Sequence, residues 1–239
     1  MHWFNSANGY KEKVYGLYDK LFSGDGIKRN QGCDEALVLI REFDNEETRN
    51  DIRRMSVSHL IDLGRFDEAK LFIEGMMSSD DCFYKMAGHF ALITFCEKAD
   101  TAKLEEAILS TIECAKQFGN KIDIATSTYE YAKYLYIGGK NDECIEKMSD
   151  VISIAQELNN VVIELDAMYY TALSLDKKGQ KNMALEILRN VSDKAEEIHN
   201  QNTAMFSEIK RAKILHDVGR TEECLNIIDQ WCDNFETQK

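Results

Sequence analysis

The sequence predicts an all-α protein built from stacked antiparallel helical hairpins, and two observations carry this prediction. Small, apolar and turn residues recur at a step of 40 positions over the last 125 residues, as Gly139, Gly179 and Gly219 do. Proline is absent from all 239 residues, so no helix interior is interrupted by it. A fixed step of this length is typical of an array in which each unit is one helix–turn–helix.

The residues around each glycine explain why the units would form hairpins. Two antiparallel helices joined by a short turn approach closely, and small residues on both helices permit that approach. Glycine supplies the backbone conformation that such a turn requires. The positions in register are Ala132, Ala172 and Ala212, then Leu135, Leu175 and Leu215, then Cys144, Ala184 and Cys224, and finally Asn120, Asn160 and Asn200.

The apolar spacing predicts the elements in order. We expect helices over 8–22 and 34–43, with a polar loop between them that runs to Gln31, then helices over 45–63 and 66–77, and over 83–95 and 104–118. Three 40-residue units follow, 121–160, 161–200 and 201–239, each with two helices of about 17 residues. The result is about six hairpins in a single domain, 1–239, in which 1–45 is a divergent N-terminal capping hairpin and 46–239 are the repeats.

This pattern resembles the tetratricopeptide repeat family. The matching segments are Leu60 to Ala69, with Gly64 at the turn, then Ala172, Leu175, Gly179 and Ala184, and Ala212, Leu215, Gly219 and Cys224. The unit is 40 residues rather than the 34 of the family's basic repeat, so the chain is similar to the long-unit arrays of bacterial regulators and adaptors. The resemblance implies a right-handed superhelix that acts as a binding scaffold, and it implies no chemistry.

Charge and cysteine usage restrict the classes of partner and compartment. The formal net charge is −13, which disfavours nucleic acid and anionic membrane surfaces, because both repel an acidic chain. The seven cysteines form no Cys-x-x-Cys pair, and their odd number indicates reduced thiols. We expect no signal peptide and no membrane span, and therefore a cytoplasmic protein.

The resemblance also predicts which residues would bind a partner, because in this family the first helix of each hairpin lines a concave groove. The first-helix residues that are not assigned to the core are Tyr129, Lys133 and Tyr136, then Asp166, Tyr169 and Leu173, and then Phe206, Ile209, Lys213 and His216. Aromatic rings provide contact area for a peptide, and lysines can fix its carboxylates. The alternative is that some of these rings pack between hairpins.

No catalytic or metal-binding pattern is visible. The five histidines are scattered, without a His-x-x-x-His pair, and the loop Ser23 to Lys28 lacks the spacing of a phosphate-binding loop. We therefore expect neither a cofactor, nor a metal, nor enzymatic activity.

The sequence favours a non-enzymatic adaptor that binds a protein segment, as a regulator, chaperone or inhibitor. Two alternatives stay open at this point: a receptor for a small signalling peptide, and an acidic decoy for a basic or nucleic-acid-binding protein. Trp231 in the last helix predicts either a terminal cap or a homodimer contact, because no further hairpin follows to cover it.

Overall fold

The protein is helical throughout the part of the chain that the structure describes. The computed structural model describes the backbone of residues 8–237 and the side chains of residues 12–230. Over that range it contains twelve α-helices, one 3-10 turn and no strand. The helices are α1 (Asn8–Leu21), α2 (Gly26–Glu42), α3 (Glu46–Asp62), α4 (Phe66–Met77), α5 (Cys82–Ala99), α6 (Leu104–Phe118), α7 (Lys121–Ile137), α8 (Asn141–Glu157), α9 (Val161–Lys177), α10 (Lys181–Glu197), α11 (Gln201–Asp217) and α12 (Thr221–Thr237).

The helices pair as six hairpins, α1 with α2 through α11 with α12, which confirms the predicted all-α hairpin architecture. They form two compact units, residues 1–119 and residues 120–239. Within each unit a first helix also contacts the first helix of the neighbouring hairpin: α3 contacts α1 and α5, and α9 contacts α7 and α11. The single-domain organisation expected from the sequence stays a prediction.

The second unit shows why asparagine recurs every 40 residues. Asn120, Asn160 and Asn200 are the N-caps of α7, α9 and α11, and their side chains accept hydrogen bonds from the backbone N–H groups of the first helical turn. These N–H groups have no partner within the helix itself, so the cap stabilises the helix start. The recurrent asparagine therefore fixes where each first helix begins.

The recurrent glycine fixes where each first helix ends. Gly139, Gly179 and Gly219 have φ between 76° and 79°, in the left-handed region that disfavours residues with a Cβ atom. The next residue then donates back into the helix; Lys140 N–H, for example, bonds to the Leu135 carbonyl at 2.9 Å. Each helix thus closes with the same backbone turn.

The core of the second unit lies between these caps, as the repeat predicts. Ala132, Ala172 and Ala212 are all buried, and they pack with Cys144, Ala184 and Cys224 in the corresponding hairpins. Larger side chains, such as the fully buried Met148 and Leu188, fill the space farther from the turn. Each hairpin thus packs small side chains near its turn, where the two helices are close, and larger side chains farther from the turn.

In the first unit, glycines within the helices allow neighbouring helices to pack closely. A Cβ atom on Gly88 of α5 would lie 2.9 Å from the Met77 backbone nitrogen at the end of α4. Likewise, a Cβ atom on Gly32 of α2 would lie 3.1 Å from the Leu21 backbone nitrogen. Because the Gly88 contact is with a backbone atom, α5 can pack at this distance only without a side chain there, whereas a Cβ atom on Gly32 would require its neighbours to shift by a few tenths of an ångström. Phe72, Leu17 and Ile52 are fully buried in the same unit.

The structure corrects the predicted loop that runs to Gln31. Helix α2 begins at Gly26, and the Asp25 side chain accepts a hydrogen bond from the Ile27 N–H group at 2.8 Å. The polar run is therefore the first part of a capped helix. The helix is held by Gly32 and Cys33, which are buried against the first unit's core.

The terminal-cap and homodimer hypotheses for Trp231 concern a side chain outside the described residues. Just before it, Ile228 of α12 is half-exposed, whereas Leu188 and Met148, which occupy its register position in α10 and α8, are fully buried. The homodimer contact stays a prediction.

Candidate functional site

The predicted binding residues share one face of three neighbouring helices. Helical geometry places positions three, four and seven apart on one side. The structure sets α7, α9 and α11 beside one another in the second unit. We call this face the first-helix surface. It consists of Tyr129, Lys133, Tyr136, Asp166, Tyr169, Tyr170, Leu173, Lys177, Phe206, Ile209, Lys213 and His216.

A cluster of tyrosines occupies the α7–α9 part of this surface. Tyr170 of α9 meets both Tyr129 and Tyr136 of α7 edge-on, with ring centroids 5.6 Å apart in each case. Tyr169 meets Tyr170 in the same manner at 6.1 Å. Edge-to-face contacts bring the positive edge of one ring to the negative face of another and stabilise the pair beyond burial alone. The rings therefore form a pre-arranged platform.

Two lysines lie over this platform. Lys177 Nζ is 3.6 Å from the centroid of the Tyr136 ring and donates to the Tyr136 carbonyl at 3.2 Å. Lys133 Nζ is 5.5 Å from the Tyr129 ring centroid and pairs with Glu130 at 2.7 Å. Both cations are attracted by the electron-rich ring faces. Lys177 thus places a cation at the border of the tyrosine cluster, whereas the charge of Lys133 is balanced by Glu130.

Burial raises the pKa values of ionisable side chains in this cluster. Burial raises the pKa of Tyr129, Tyr169 and Tyr170 above the usual value for a phenol, and Asp166 adds to this effect on Tyr129. Burial also raises the pKa of Asp166, while the nearby Lys133 opposes that rise. The phenols thus stay protonated at neutral pH and can both donate and accept hydrogen bonds. The platform offers neutral polar groups as well as ring area.

The α11 part of the surface is apolar and open. Phe206 is 54% exposed and Ile209 is 59% exposed, and Ile209 occupies the register position of Tyr129 and Tyr169. Lys213 and His216 are exposed beside them, and His216 lies 3.7 Å from Asp217. Two large exposed apolar side chains next to an aromatic cluster are typical of a protein-binding surface.

The other predicted residues differ in how much surface they offer. Tyr129, Lys133, Tyr136, Asp166 and Tyr169 are partly buried, and Leu173 is only 9% exposed and so provides little contact area. Most of the rings pack against one another between α7 and α9, which matches the alternative that some pack between hairpins. The open contact area is concentrated on α11.

Sequence reasoning missed Tyr170 and Lys177, which hold the cluster together. The register positions of Tyr170 in the adjacent units are occupied by Glu130 and Lys210, so the repeat marks this position as polar. The signal in the sequence that could have indicated Tyr170 is the tyrosine directly before it, Tyr169. Because a helix turns about 100° per residue, consecutive rings can face two neighbours at once.

A partly buried ion pair joins α9 to α11. Asp176 accepts hydrogen bonds from Lys210 Nζ at 2.8 Å and from Lys181 Nζ at 3.1 Å. Burial would raise the pKa of Asp176, but the two lysine hydrogen bonds outweigh it, so the net pKa lies below the usual value. The carboxylate therefore remains ionised and links the helices that carry the platform and the open apolar residues.

Between residues 12 and 230, no three His, Cys, Asp or Glu side chains are grouped so as to hold a metal ion. None of the described helices combines the length and the apolar character needed to cross a membrane.

Solved structures of other proteins resemble this chain in fold. No family model matches the chain, and no curated protein matches it by sequence. The solved structure of apo RapI is similar over 95% of this chain and 84% of that protein, with a TM-score of 0.77 and 11% identity. The tetratricopeptide repeat sensor protein of the signal transduction ATPase type from Pyrococcus horikoshii is similar over 94% of this chain, with a TM-score of 0.72 and 12% identity. The fold is tetratricopeptide-like.

A third similar structure is a Rap protein complexed with Competence and Sporulation Factor. It matches 89% of this chain and 64% of that one, with a TM-score of 0.53 and 11% identity. The tetratricopeptide-like chain spans 37% of the length of the Pyrococcus horikoshii ATPase. At these identities the likeness establishes the tetratricopeptide-like fold that the sequence predicted.

Proposed function

We propose that this protein is a non-enzymatic scaffold that binds a segment of a partner protein on its first-helix surface. The observation that carries the proposal is the pair of open apolar side chains on α11, Phe206 and Ile209, which stand in the register positions of Asp166 and Tyr169 on the neighbouring α9. Burial of such side chains by a partner removes apolar area from water, which is the dominant favourable term in association.

The chemistry of the surface suggests the type of segment. Its apolar side chains would cover Phe206 and Ile209, and a carboxylate would face Lys213, which is exposed and forms no ion pair with the described residues. The tyrosine hydroxyls can bond to the segment's backbone. A short acidic-apolar segment therefore fits this surface better than a basic one.

The tetratricopeptide-like neighbours support a binding role. One is described as a sensor, and one Rap protein was solved in complex with a named factor. Roles as regulator, chaperone or inhibitor of the partner all use the same surface. We infer that the partner is a protein or peptide and that the protein acts in the cytoplasm.

The test is capture of a partner from the native host with matched variants. The double variant Phe206→Ser with Ile209→Ser removes the open apolar pair. The control, Leu225→Ser with Ile228→Ser, removes two similarly exposed apolar side chains from α12. We expect a partner that binds the wild type and the control saturably and binds the α11 variant at least tenfold more weakly.

Retention of the same partner by the α11 variant would refute the proposed surface. Two further measurements separate the alternatives. A thermal shift produced by host peptide extract indicates a small-peptide receptor, because a ligand that binds only the native state raises stability. Binding that disappears at high salt indicates an acidic decoy, because screening weakens charge–charge attraction.

A further inference from the structure

The last helix exposes an apolar face that is buried in the equivalent helices of the same unit. Leu225 and Ile228 of α12 are 52% and 46% exposed. Leu188 and Met148, at the register position of Ile228 in α10 and α8, are fully buried, and Leu185, at that of Leu225, is 8% exposed. Leu225 and Ile228 thus form a face that no other described residue covers, which we call the α12 face.

In α8 and α10 this face is covered by the first helix of the next hairpin. Helix α8 packs against α9, and α10 packs against α11. Met148 of α8 shares an apolar cluster with Ala167 of α9, and Leu188 of α10 shares one with Ala212 of α11. Because the same two register positions bury against a helix in both preceding hairpins, the α12 face has the shape and chemistry of a helix-binding surface.

A basic residue of the covering helix meets an acidic residue at the start of α8. Lys178, the C-cap of α9, forms an ion pair with Asp142 in the first turn of α8. The covering helix is therefore antiparallel to the helix beneath it, with its C-terminal end over the other's N-terminal end. Glu222 occupies the register position of Asp142 in α12, is exposed, and forms no ion pair with the described residues.

A second level of contact lies seven residues farther along the two helices. In α10 and α11 the residues at this level, Arg189 and Arg211, line the same cleft. Asp229 replaces Arg189 at the register position in α12, is exposed, and forms no ion pair with the described residues. A basic residue at the position of Arg211 in a covering helix would therefore face a carboxylate on α12 instead of an arginine.

The two unpaired carboxylates lie along one edge of the α12 face. At 100° per residue, Asp229 and Glu222 lie about 40° and about 60° from Leu225 around the helix axis, on the side away from Ile228. The sequence of α12 contains five acidic residues and no lysine or arginine. A second copy of α12 would bring two acidic edges together, and like charges across an interface repel. The charge of this face therefore favours a basic partner over a second copy of this chain.

We propose that the α12 face binds a basic, amphipathic helix of a partner protein, which packs on α12 as α9 packs on α8. The bound helix is antiparallel to α12 and covers Leu225 and Ile228 with apolar side chains. Two of its lysines or arginines, seven residues apart, pair with Glu222 and Asp229, because residues at this spacing lie on one side of a helix. The α12 face is separate from the first-helix surface, so the two sites bind independently.

The probe is a blocked, alanine-based helical peptide of about 18 residues, a length at which such helices begin to form in water. It carries two leucines three residues apart and two lysines seven residues apart on the same side. A matched peptide has glutamates in place of the lysines. Calorimetry with the intact protein at pH 7 measures affinity, and the methyl resonance of Ile228 reports the site. We expect the lysine peptide to shift that resonance and to bind at least tenfold more tightly than the glutamate peptide.

Two double variants test the apolar and the charged parts of the face. Leu225→Ser with Ile228→Ser should weaken binding of the lysine peptide at least tenfold, and it should fold because both side chains are exposed. Glu222→Lys with Asp229→Lys reverses the charge of the edge and should exchange the preference, so that the glutamate peptide binds more tightly. A variant that had lost its fold would bind neither peptide, which distinguishes the exchange from a folding defect.

Two controls separate the α12 face from a general attraction between a basic peptide and an acidic chain. Glu186→Lys with Glu197→Lys makes the same change of net charge at exposed positions of α10 and should leave the preference for the lysine peptide intact. Phe206→Ser with Ile209→Ser, which alters the first-helix surface, should also leave binding of the lysine peptide unchanged. Failure of the proposed function and failure of the α12 face are therefore distinguishable.

Three results would overturn the proposal. The first is equal binding of the two peptides, or no shift of the Ile228 resonance at millimolar peptide. The second is undiminished binding of the lysine peptide to the variant with Leu225→Ser and Ile228→Ser. The third is a dimer of the wild-type protein in sedimentation that this variant abolishes, because a second copy would then occupy the face.

Discussion

Lys210 on α11 donates a hydrogen bond to Asp176 on α9 at 2.8 Å, and Lys181 holds the other oxygen of the same carboxylate. Asp176 is one of the least exposed ion-paired carboxylates among the described residues, with 13% of its side chain accessible. Since α9 and α11 carry the two parts of the first-helix surface, this ion pair aligns the proposed binding residues. Four predictions about stability concern this ion pair, a glycine turn, a close contact between helices and a helix N-cap.

The first prediction concerns the pH dependence of the Asp176 pair. Lys210→Met leaves a mostly buried carboxylate with one cation, so unfolding free energy at pH 7 should fall by about 1–3 kcal/mol. The pKa of Asp176 in the folded protein is lowered, so the pair contributes fully above the unfolded value near 3.9 and is lost as the pH falls through the folded pKa. The difference between variant and wild type should therefore shrink at pH 3.

Urea unfolding at pH 7 and pH 3 measures this difference. Lys213→Met is the matched control, because Lys213 lies on the same helix, is exposed, and forms no ion pair with the described residues. Its effect should stay within about 0.5 kcal/mol. An equal loss for Lys210→Met at both pH values would contradict the electrostatic explanation.

The second prediction uses two adjacent glycines at the end of α7. Gly139 has a φ of 76°, so Gly139→Ala should destabilise the protein by about 1–2 kcal/mol. Gly138 has a φ of −72°, and a Cβ atom there would lie 3.5 Å from the nearest atom, the Tyr134 carbonyl oxygen. Gly138→Ala should therefore be neutral or stabilise by up to about 1 kcal/mol. The urea midpoint should fall for Gly139→Ala and stay unchanged or rise for Gly138→Ala, and an equal fall for both would argue against the left-handed turn.

The third prediction concerns close approach in the first unit. Gly88→Ala places a methyl group 2.9 Å from the Met77 backbone nitrogen, so α5 must move away from α4, and the cost should be about 1–3 kcal/mol. Gly16→Ala in α1 is the control, because among the described residues no atom outside its own helical turn lies within 4 Å of the added Cβ atom. That variant should gain about 0.5–1 kcal/mol from helix propensity. Thermal unfolding distinguishes the two, and a neutral Gly88→Ala would disprove the tight contact.

The fourth prediction tests the recurrent asparagine. Asn160→Ala removes the side-chain acceptor of the Ile163 N–H group and should cost about 1 kcal/mol. Gln180 is the N-cap of α10 but forms no side-chain capping bond, so Gln180→Ala should change stability by only a few tenths of a kcal/mol. Hydrogen exchange of the N–H groups in the first turn of α9 reports on this cap locally. Its rate should rise in the Asn160 variant and stay unchanged in the Gln180 variant.

The sequence predicted the fold well in the second unit, where the same residue types recur every 40 positions, and less well in the first unit, where they do not. The glycine and alanine register predicted the three two-helix units, and α7, α9 and α11 begin at the first residue of each unit, because turn geometry and close packing admit few residue types at those positions. The start of α2 was missed because Gly24 and Gly26 flank the cap Asp25, and glycines normally indicate a loop. That helix depends on burial of Gly32 and Cys33, a tertiary effect that local pattern does not reveal.

The candidate surface was predictable only in outline. Helical spacing selected the face of α7, α9 and α11, but it did not show that the tyrosines pack mainly against one another. The central position of Tyr170 depends on how α9 lies against α7, which the spacing within a single helix does not define.

The matching caps at Asn160 and Asn200 make the second unit modular. Deletion of residues 161–200 would join Asn160 directly to Gln201, so an asparagine would again stand before α11 just as it does now. The chain could thus lose or gain a whole 40-residue unit, and each first helix would still begin with an asparagine N-cap. Length variation in steps of one hairpin is the kind of change that this architecture tolerates, and it would lengthen or shorten the binding surface by one helix at a time.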